Sequence, residues 1–123
     1  GAKLFMPETK VIGCKVDTDP FEEITPAIMR ESCRLLEADI EFTNDDVYHV
    51  DAAGPGYAIP SEEGNNAIKT MAKNEGLFLD PVYTGKAFGA LLRMAREGKF
   101  KPDDNVLFVF TGGAGGLFAI DVK

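Results

Sequence analysis

Residues 106–110 (VLFVF) form a run of five apolar side chains that leads directly into a glycine-rich segment, residues 111–116 (TGGAGG). A run that is apolar at every position is typical of a parallel strand buried on both faces. Parallel strands need crossover connections, which are usually helices. The run therefore favours an α/β architecture, in which ligands bind beyond the carboxyl ends of the strands.

Signals for strands and helices alternate through the rest of the chain. Residues 10–16, 47–51 and 77–79 have strand character. Thr25 and Pro26 resemble an N-cap followed by proline at the first helical position, which predicts a helix over residues 26–38. Together with the run at 106–110, this alternation points to a layered sheet-and-helix fold.

Two further helices are predicted from their ends. Ser61, followed by two glutamates, favours a helix start, and Gly76 favours its end. The third helix covers residues 84–97 and ends before Gly98. Its expected inward face consists of four apolar residues: Phe88, Leu91, Leu92 and Ala95. The order of elements predicts a single α/β domain over residues 1–123, a three-layer sandwich with a mostly parallel sheet.

The charge and the polar residues exclude several functions. The net charge is −7 and Lys and Arg do not cluster, so we expect neither nucleic acid nor a membrane as a partner. No apolar stretch is long enough for a membrane span, and no signal peptide is recognisable. Cys14 and Cys33 are too few for a disulfide framework, which favours the cytoplasm. His49 is the only histidine and lacks partners at metal-ligand spacing, so no metal is predicted.

Polar side chains at the predicted strand ends and in a Gly/Pro loop are the candidate site residues. Tyr83 could stack on a ring or move a proton, and the Thr84 hydroxyl could bind a ring nitrogen. Alternatively, Thr84 caps the helix and Tyr83 packs against it. Tyr57, in the Gly/Pro loop at 54–60, either lines a pocket or fills the core. Residues 111–116 either approach an anion or a ring through their amides, or form a tight turn.

Three segments together carry a family resemblance: residues 54–64 (GPGYAIPSEEG), 75–87 (EGLFLDPVYTGKA) and 106–113 (VLFVFTGG). In this order and spacing they resemble the D-cysteine desulfhydrase and 1-aminocyclopropane-1-carboxylate (ACC) deaminase family. These are fold-type-II enzymes that use pyridoxal 5′-phosphate. The resemblance implies that Tyr83 lies beside the pyridine ring, that Tyr57 touches the substrate and that Thr84 is near the pyridine nitrogen. It also implies that three residues close the pocket beside the ring: Thr111, Gly112 and Gly113.

One position separates the two branches of this family. The deaminase branch has a glutamate where this chain has Thr84, so the chain looks more like a desulfhydrase. A hydroxyl stabilises a protonated ring nitrogen less than a carboxylate does, and the weaker electron sink suits elimination. The residue before Thr111 is usually histidine in the family and is Phe110 here. An apolar ring removes a hydrogen-bonding group, so either the pocket is altered or the strand is repacked.

The resemblance also implies what this chain lacks. The family's Schiff-base lysine and phosphate cup precede the matching region, and Lys86 matches a different lysine of the motif. We therefore expect a C-terminal part of a lyase or deaminase acting on D-cysteine or a related small amino acid, inactive alone. Separation from the rest of the parent enzyme would expose apolar surface and favour a homodimer or larger assembly. Two alternatives stay open: a flavodoxin-like module binding a phosphate-bearing ligand, and a non-catalytic assembly domain.

Overall fold

The structure, a computed structural model, describes residues 1–43, 46 and 48–119 and divides into two units. The first unit contains Gly1–Gly13 and Asp19–Val50, and the second contains Cys14–Thr18 and Asp51–Lys123. Helices accompany a parallel two-stranded sheet, which confirms the predicted α/β fold class. No helix in the described part combines the length and the hydropathy needed to cross a membrane.

The sheet is formed by β1 (Ile12–Lys15) and β2 (Tyr48–Asp51), and a short helix, α1 (Ala2–Phe5), precedes it. Both strands lie inside the ranges that the sequence predicts. Val47, the first residue of the second predicted range, lies outside the described residues. The strands therefore confirm the two earliest predictions, with narrower bounds.

The helix α2 (Phe21–Leu35) begins earlier than predicted, so that Pro26 lies inside it. The carbonyl of Pro20 accepts hydrogen bonds from the amides three and four residues further on, at 2.9 and 3.1 Å, which starts the helix there. Two glutamates in the first turn favour this start through the helix dipole. The predicted cap at Thr25 is wrong, because the Thr25 hydroxyl lies 3.1 Å from Nε2 of His49 instead.

The helix α3 (Glu62–Glu75) has both ends where the sequence predicts them. The Ser61 hydroxyl accepts a hydrogen bond from the amide of Gly64 at 3.1 Å, which is a side-chain N-cap. Gly76 ends the helix in the left-handed conformation, with φ of 67°. Ala67, Ile68 and Met71 are buried, as expected of its apolar stripe.

The helix α4 (Thr84–Arg96) also has the predicted bounds, but it buries a different face. Ala95 is exposed, and the other three residues expected to face inward are only half-buried. Four small residues are buried instead, together with Lys86 and Met94. The helix α4 packs closely on α3, since a Cβ at Gly89 would lie 2.8 Å from Cγ of Glu63. The buried set of α4 is Thr84, Gly85, Lys86, Gly89, Ala90 and Met94.

Residues 77–79 and 106–110 do not form the predicted strands. In the described part of the chain, only β1 and β2 make a sheet, and a strand exists only where a neighbouring strand pairs with it. The prediction that 106–110 is buried on both faces is also wrong, since Leu107 is 86% exposed. Within residues 106–110, Phe108 is half-buried and the other four residues are exposed. The ring centroid of Phe108 lies 5.2 Å from that of Phe88. A 3₁₀ helix, Ala114–Phe118, follows.

Candidate functional site

The turn before α4 is organised by the Asp80 carboxylate, which is 2% exposed. Its Oδ2 accepts hydrogen bonds from the amides of Val82 and Tyr83, both at 2.8 Å. Its Oδ1 accepts from the amide and the hydroxyl of Thr84, at 2.8 and 2.7 Å. These bonds satisfy amides that a helix start leaves without partners. Asp80, not Thr84, therefore supplies the side chain that binds the amides of the turn leading into α4, whose N-cap position is Tyr83.

The charge of Asp80 is fixed by these bonds. Burial raises the pKa of its carboxyl, but the hydrogen bonds from Thr84, Tyr83 and Val82 favour the ionised form and lower the pKa below its ordinary value. A negative charge is thus permanent at the start of α4 at neutral pH. The sequence analysis did not assign this role to Asp80. An aspartate followed by Pro81 is a turn-initiating signal that could have indicated it.

The Thr84 hydroxyl is 3% exposed and already has two partners. It donates to Oδ1 of Asp80 and accepts from the Asp80 amide at 2.9 Å. The carbonyl oxygen of Gly112 lies 3.5 Å away, at the limit of a second, weaker contact. A hydroxyl has one proton and two lone pairs, so one lone pair of Thr84 is left for a further donor.

The glycine-rich segment lies against this turn. Gly113 has φ of 92°, and a Cβ there would lie 2.7 Å from Oδ1 of Asp80, so only glycine permits both the conformation and the approach. Gly112 also has positive φ, with open space where its Cβ would be. The structure thus brings Gly112 and Gly113 to Asp80 and Thr84, whereas Thr111 is exposed.

Tyr57 and Tyr83 meet through their hydroxyls, which lie 2.5 Å apart. The ring centroids are 6.1 Å apart in an edge-to-face arrangement, and the side chains are 51% and 47% exposed. The hydrogen bond with Tyr57 raises the pKa of Tyr83, with burial a smaller cause in the same direction. Tyr83 is therefore protonated at neutral pH, and a pair of hydroxyls that share one hydrogen bond has one further hydroxyl proton to offer.

Lys86 is the residue that the sequence analysis placed in the motif without a role. Its side chain is 1% exposed, and its Nζ donates to the carbonyl oxygens of Ala53 and Gly56, both at 2.6 Å. Burial lowers the pKa of this ammonium, and the charge of Asp17 opposes the shift. A lysine on the small-residue face of a helix is the signal that could have indicated a buried ammonium.

Metal chemistry has no candidate site in the described residues, because no three His, Cys, Asp or Glu side chains converge there. Two groups of polar contacts are adjacent in sequence at the start of α4: the hydroxyl pair of Tyr57 and Tyr83, and Thr84 with Asp80 and the Gly112 carbonyl. This arrangement holds neutral hydroxyls beside a glycine-rich turn. It suits an organic ligand with a ring and hydrogen-bonding atoms.

Comparison with known proteins defines the class. The family of pyridoxal-phosphate-dependent enzymes matches residues 1–112, so this chain belongs to that family. Among solved structures, the chain is similar to one described as "Crystal Structure Analysis of the ACC deaminase homologue", with 26% identity and a TM-score of 0.72 over 82% of this chain. The match covers 31% of that protein, so this chain spans less than a third of its length.

These findings bear on the sequence predictions in two ways. Pyridoxal phosphate as the cofactor and the fold class are confirmed. The family match also favours a pyridoxal-phosphate enzyme over the flavodoxin-like alternative. The individual roles expected for Tyr57, Tyr83, Thr84 and residues 111–113 stay predictions. The contacts described above join Tyr57 to Tyr83, Thr84 to Gly112, and Gly113 to Asp80, whereas Thr111 has none of them.

Proposed function

We propose that this chain is the C-terminal part of a longer pyridoxal-phosphate-dependent lyase or deaminase that acts on D-cysteine or a related small amino acid. The observation that carries this proposal is the Tyr57–Tyr83 hydroxyl pair, with hydroxyls 2.5 Å apart, next in sequence to the buried Thr84. The family match and the 31% coverage of the ACC deaminase homologue support a longer parent enzyme.

The residues of the α4 turn fit the cofactor. Pyridoxal phosphate, when bound, supplies an electron sink for amino-acid chemistry. Thr84 would bind the pyridine nitrogen in one of two ways. Its remaining lone pair would accept a hydrogen bond from a protonated ring nitrogen, or its proton, turned away from Asp80, would be donated to an unprotonated one. The second option is open because Asp80 would keep the three amide donors from Val82, Tyr83 and Thr84. Gly112 leaves open space where a side chain would otherwise stand.

The tyrosine pair would handle protons at the substrate. One hydroxyl donates to the other, so a phenolic proton and free lone pairs remain for a bound amino acid. The Tyr57 hydrogen bond holds the pKa of Tyr83 above its ordinary value, which keeps Tyr83 in the protonated form. A protonated phenol suits the donation of a proton to a leaving group or a developing carbanion.

The neutral group at Thr84 favours elimination over deamination. A carboxylate would stabilise a positive ring nitrogen, whereas a hydroxyl does so less. With D-cysteine, elimination breaks the Cα–H and Cβ–S bonds, releases hydrogen sulfide, and water then converts the remaining imine to pyruvate and ammonia. ACC, which a deaminase opens and deaminates, is the second substrate that we propose to test.

The test is an assay of the full-length enzyme with pyridoxal phosphate and each of the two substrates. We expect pyruvate and sulfide from D-cysteine, with turnover reduced about 10²–10⁴-fold in Tyr83→Phe and Tyr57→Phe. Tyr48→Phe is the matched control, since Tyr48 lies on β2 and is exposed. Unchanged turnover in both site variants would contradict the assignment, and 2-oxobutanoate from ACC alone would identify a deaminase.

A further inference from the structure

Lys86 makes two short hydrogen bonds to the loop before Tyr57. Among backbone partners, the carbonyls of Ala53 and Gly56 have only long contacts, at 3.4 Å from the Gly56 amide and 3.3 Å from the Ile59 amide. The Lys86 ammonium lies 2.6 Å from each of these two oxygens. A charged donor at this distance makes a stronger hydrogen bond than a neutral amide does. Lys86 is therefore the main polar tie of this loop.

The same loop has backbone angles that are unfavourable without support from its surroundings. Gly54 and Gly56 have φ of 62° and 147°, and Ala58, directly after Tyr57, has φ of 57°. Positive φ at an alanine is a strained conformation that the surrounding structure must impose. Tyr57 is itself half-exposed, so packing covers only part of its ring.

We propose that Lys86 is a positioning residue, whose ammonium holds the loop at residues 53–56 so that the Tyr57 hydroxyl meets Tyr83. Lys86 and Tyr83 are three residues apart at the start of α4. The same end of the helix therefore carries Tyr83 and the ammonium that positions Tyr57. The geometric part of this inference stands on the contacts alone. Its meaning for catalysis rests on the proposed function.

Stability alone does not account for an ammonium at this position. A methionine would fill a similar volume without taking a charge out of water, and such replacements are often neutral or stabilising. The two carbonyl oxygens are what an ammonium binds and a thioether cannot. Arg93, on the same helix, also binds this region through the Asp51 carbonyl at 2.5 Å, but two residues before Ala53. It therefore offers a matched comparison.

The experiment is an NMR measurement on the chain at neutral pH with labelled tyrosines, without cofactor or substrate. In the wild type we expect contacts between the rings of Tyr57 and Tyr83. In Lys86→Met these contacts are lost, and the Tyr83 hydroxyl-carbon shift moves to its value in Tyr57→Phe. Arg93→Met, which also removes a tie to α4, keeps the inter-ring contacts. A folded Lys86→Met that keeps them would overturn the proposal.

A second measurement needs no variant and serves if Lys86→Met does not fold. Labelled lysine nitrogen in the wild-type chain should show one ammonium coupled through hydrogen bonds to the carbonyl carbons of Ala53 and Gly56. Its absence would overturn the proposal. Because no cofactor is present, these results are separate from the enzyme assay: Lys86 could place Tyr57 even if the substrate proposal failed.

Discussion

The face shared by α3 and α4 and the segment at residues 106–110 belong to the same unit, yet they have opposite exposures. The helices bury a face built from small side chains, with Ala67 and Ala90 at 1% and 0% exposed. The segment is more apolar throughout, yet Leu107 and Val109 are 86% and 71% exposed. Burial in this chain therefore follows from having a fitted neighbour, not from hydrophobicity alone.

The exposed segment also bears on association. A strip of large apolar side chains at the surface is typical of a region that another surface covers. Our expectation that the isolated chain forms a homodimer or larger assembly stays a prediction. Light scattering at high concentration tests it, and a monomer would contradict it.

The largest effect should come from a matched pair of leucines in the two regions. Leu79 is 1% exposed and packs with Ile68 and Met71, whereas Leu107 projects into solvent. We expect Leu79→Ala to lower the free energy of unfolding by about 2–5 kcal/mol. Leu107→Ala should change it by less than about 0.5 kcal/mol. Urea unfolding checks both, and equal losses would show that residues 106–110 are buried in solution.

A smaller effect should come from adding one methyl group where the helix approaches its neighbours. A Cβ at Gly85 would lie 2.5 Å from the Asp80 carbonyl oxygen and 2.9 Å from Cγ1 of Ile68. Overpacking of this kind costs about 1–3 kcal/mol, partly offset by the better helix propensity of alanine. Gly115→Ala is the control, since nothing lies within 4 Å of its Cβ position. A Gly85→Ala protein as stable as the wild type would mean that the close packing is not present.

The smallest effect should be present at neutral pH and disappear in acid. The pKa of Asp80 is lower in the folded state than the ordinary value of about 3.9. Its stabilising contribution is therefore complete above about pH 4 and is lost as the pH falls through the folded pKa. We expect Asp80→Asn to cost about 1 kcal/mol at neutral pH and to flatten the acid limb of the stability profile. Asp39→Asn, at an exposed residue, is the control. Parallel acid limbs in the wild type and Asp80→Asn would contradict the role given to Asp80.

Local signals were sufficient where a few neighbouring residues decide the structure. The Ser61 cap and the glycine end of α3 could be predicted because both depend on side chains within one turn of the helix. The bounds of α4 followed from the sequence for the same reason. The candidate tyrosines were identified from their motifs, but that their hydroxyls meet was not predicted.

Tertiary neighbours decided what the sequence could not. The buried face of α4 is set by the close approach of α3 at Gly89, and the hydrophobic pattern of α4 does not record that approach. Residues 106–110 have the composition of a central strand but no strand to pair with in the described part of the chain. The position of Lys86 on its helix could have indicated burial, but its acceptors are backbone carbonyls some thirty positions earlier, which the local sequence does not identify.

The most direct test of the central claim is borohydride reduction of the full-length enzyme with pyridoxal phosphate, followed by peptide mass mapping. We propose that this chain lines one side of the cofactor site and that the Schiff-base lysine lies elsewhere in the enzyme. Reduction should therefore label a single lysine, and that lysine should lie outside these 123 residues. A specific label on Lys86 or on any other lysine of this chain would contradict it, as would the absence of any labelled lysine.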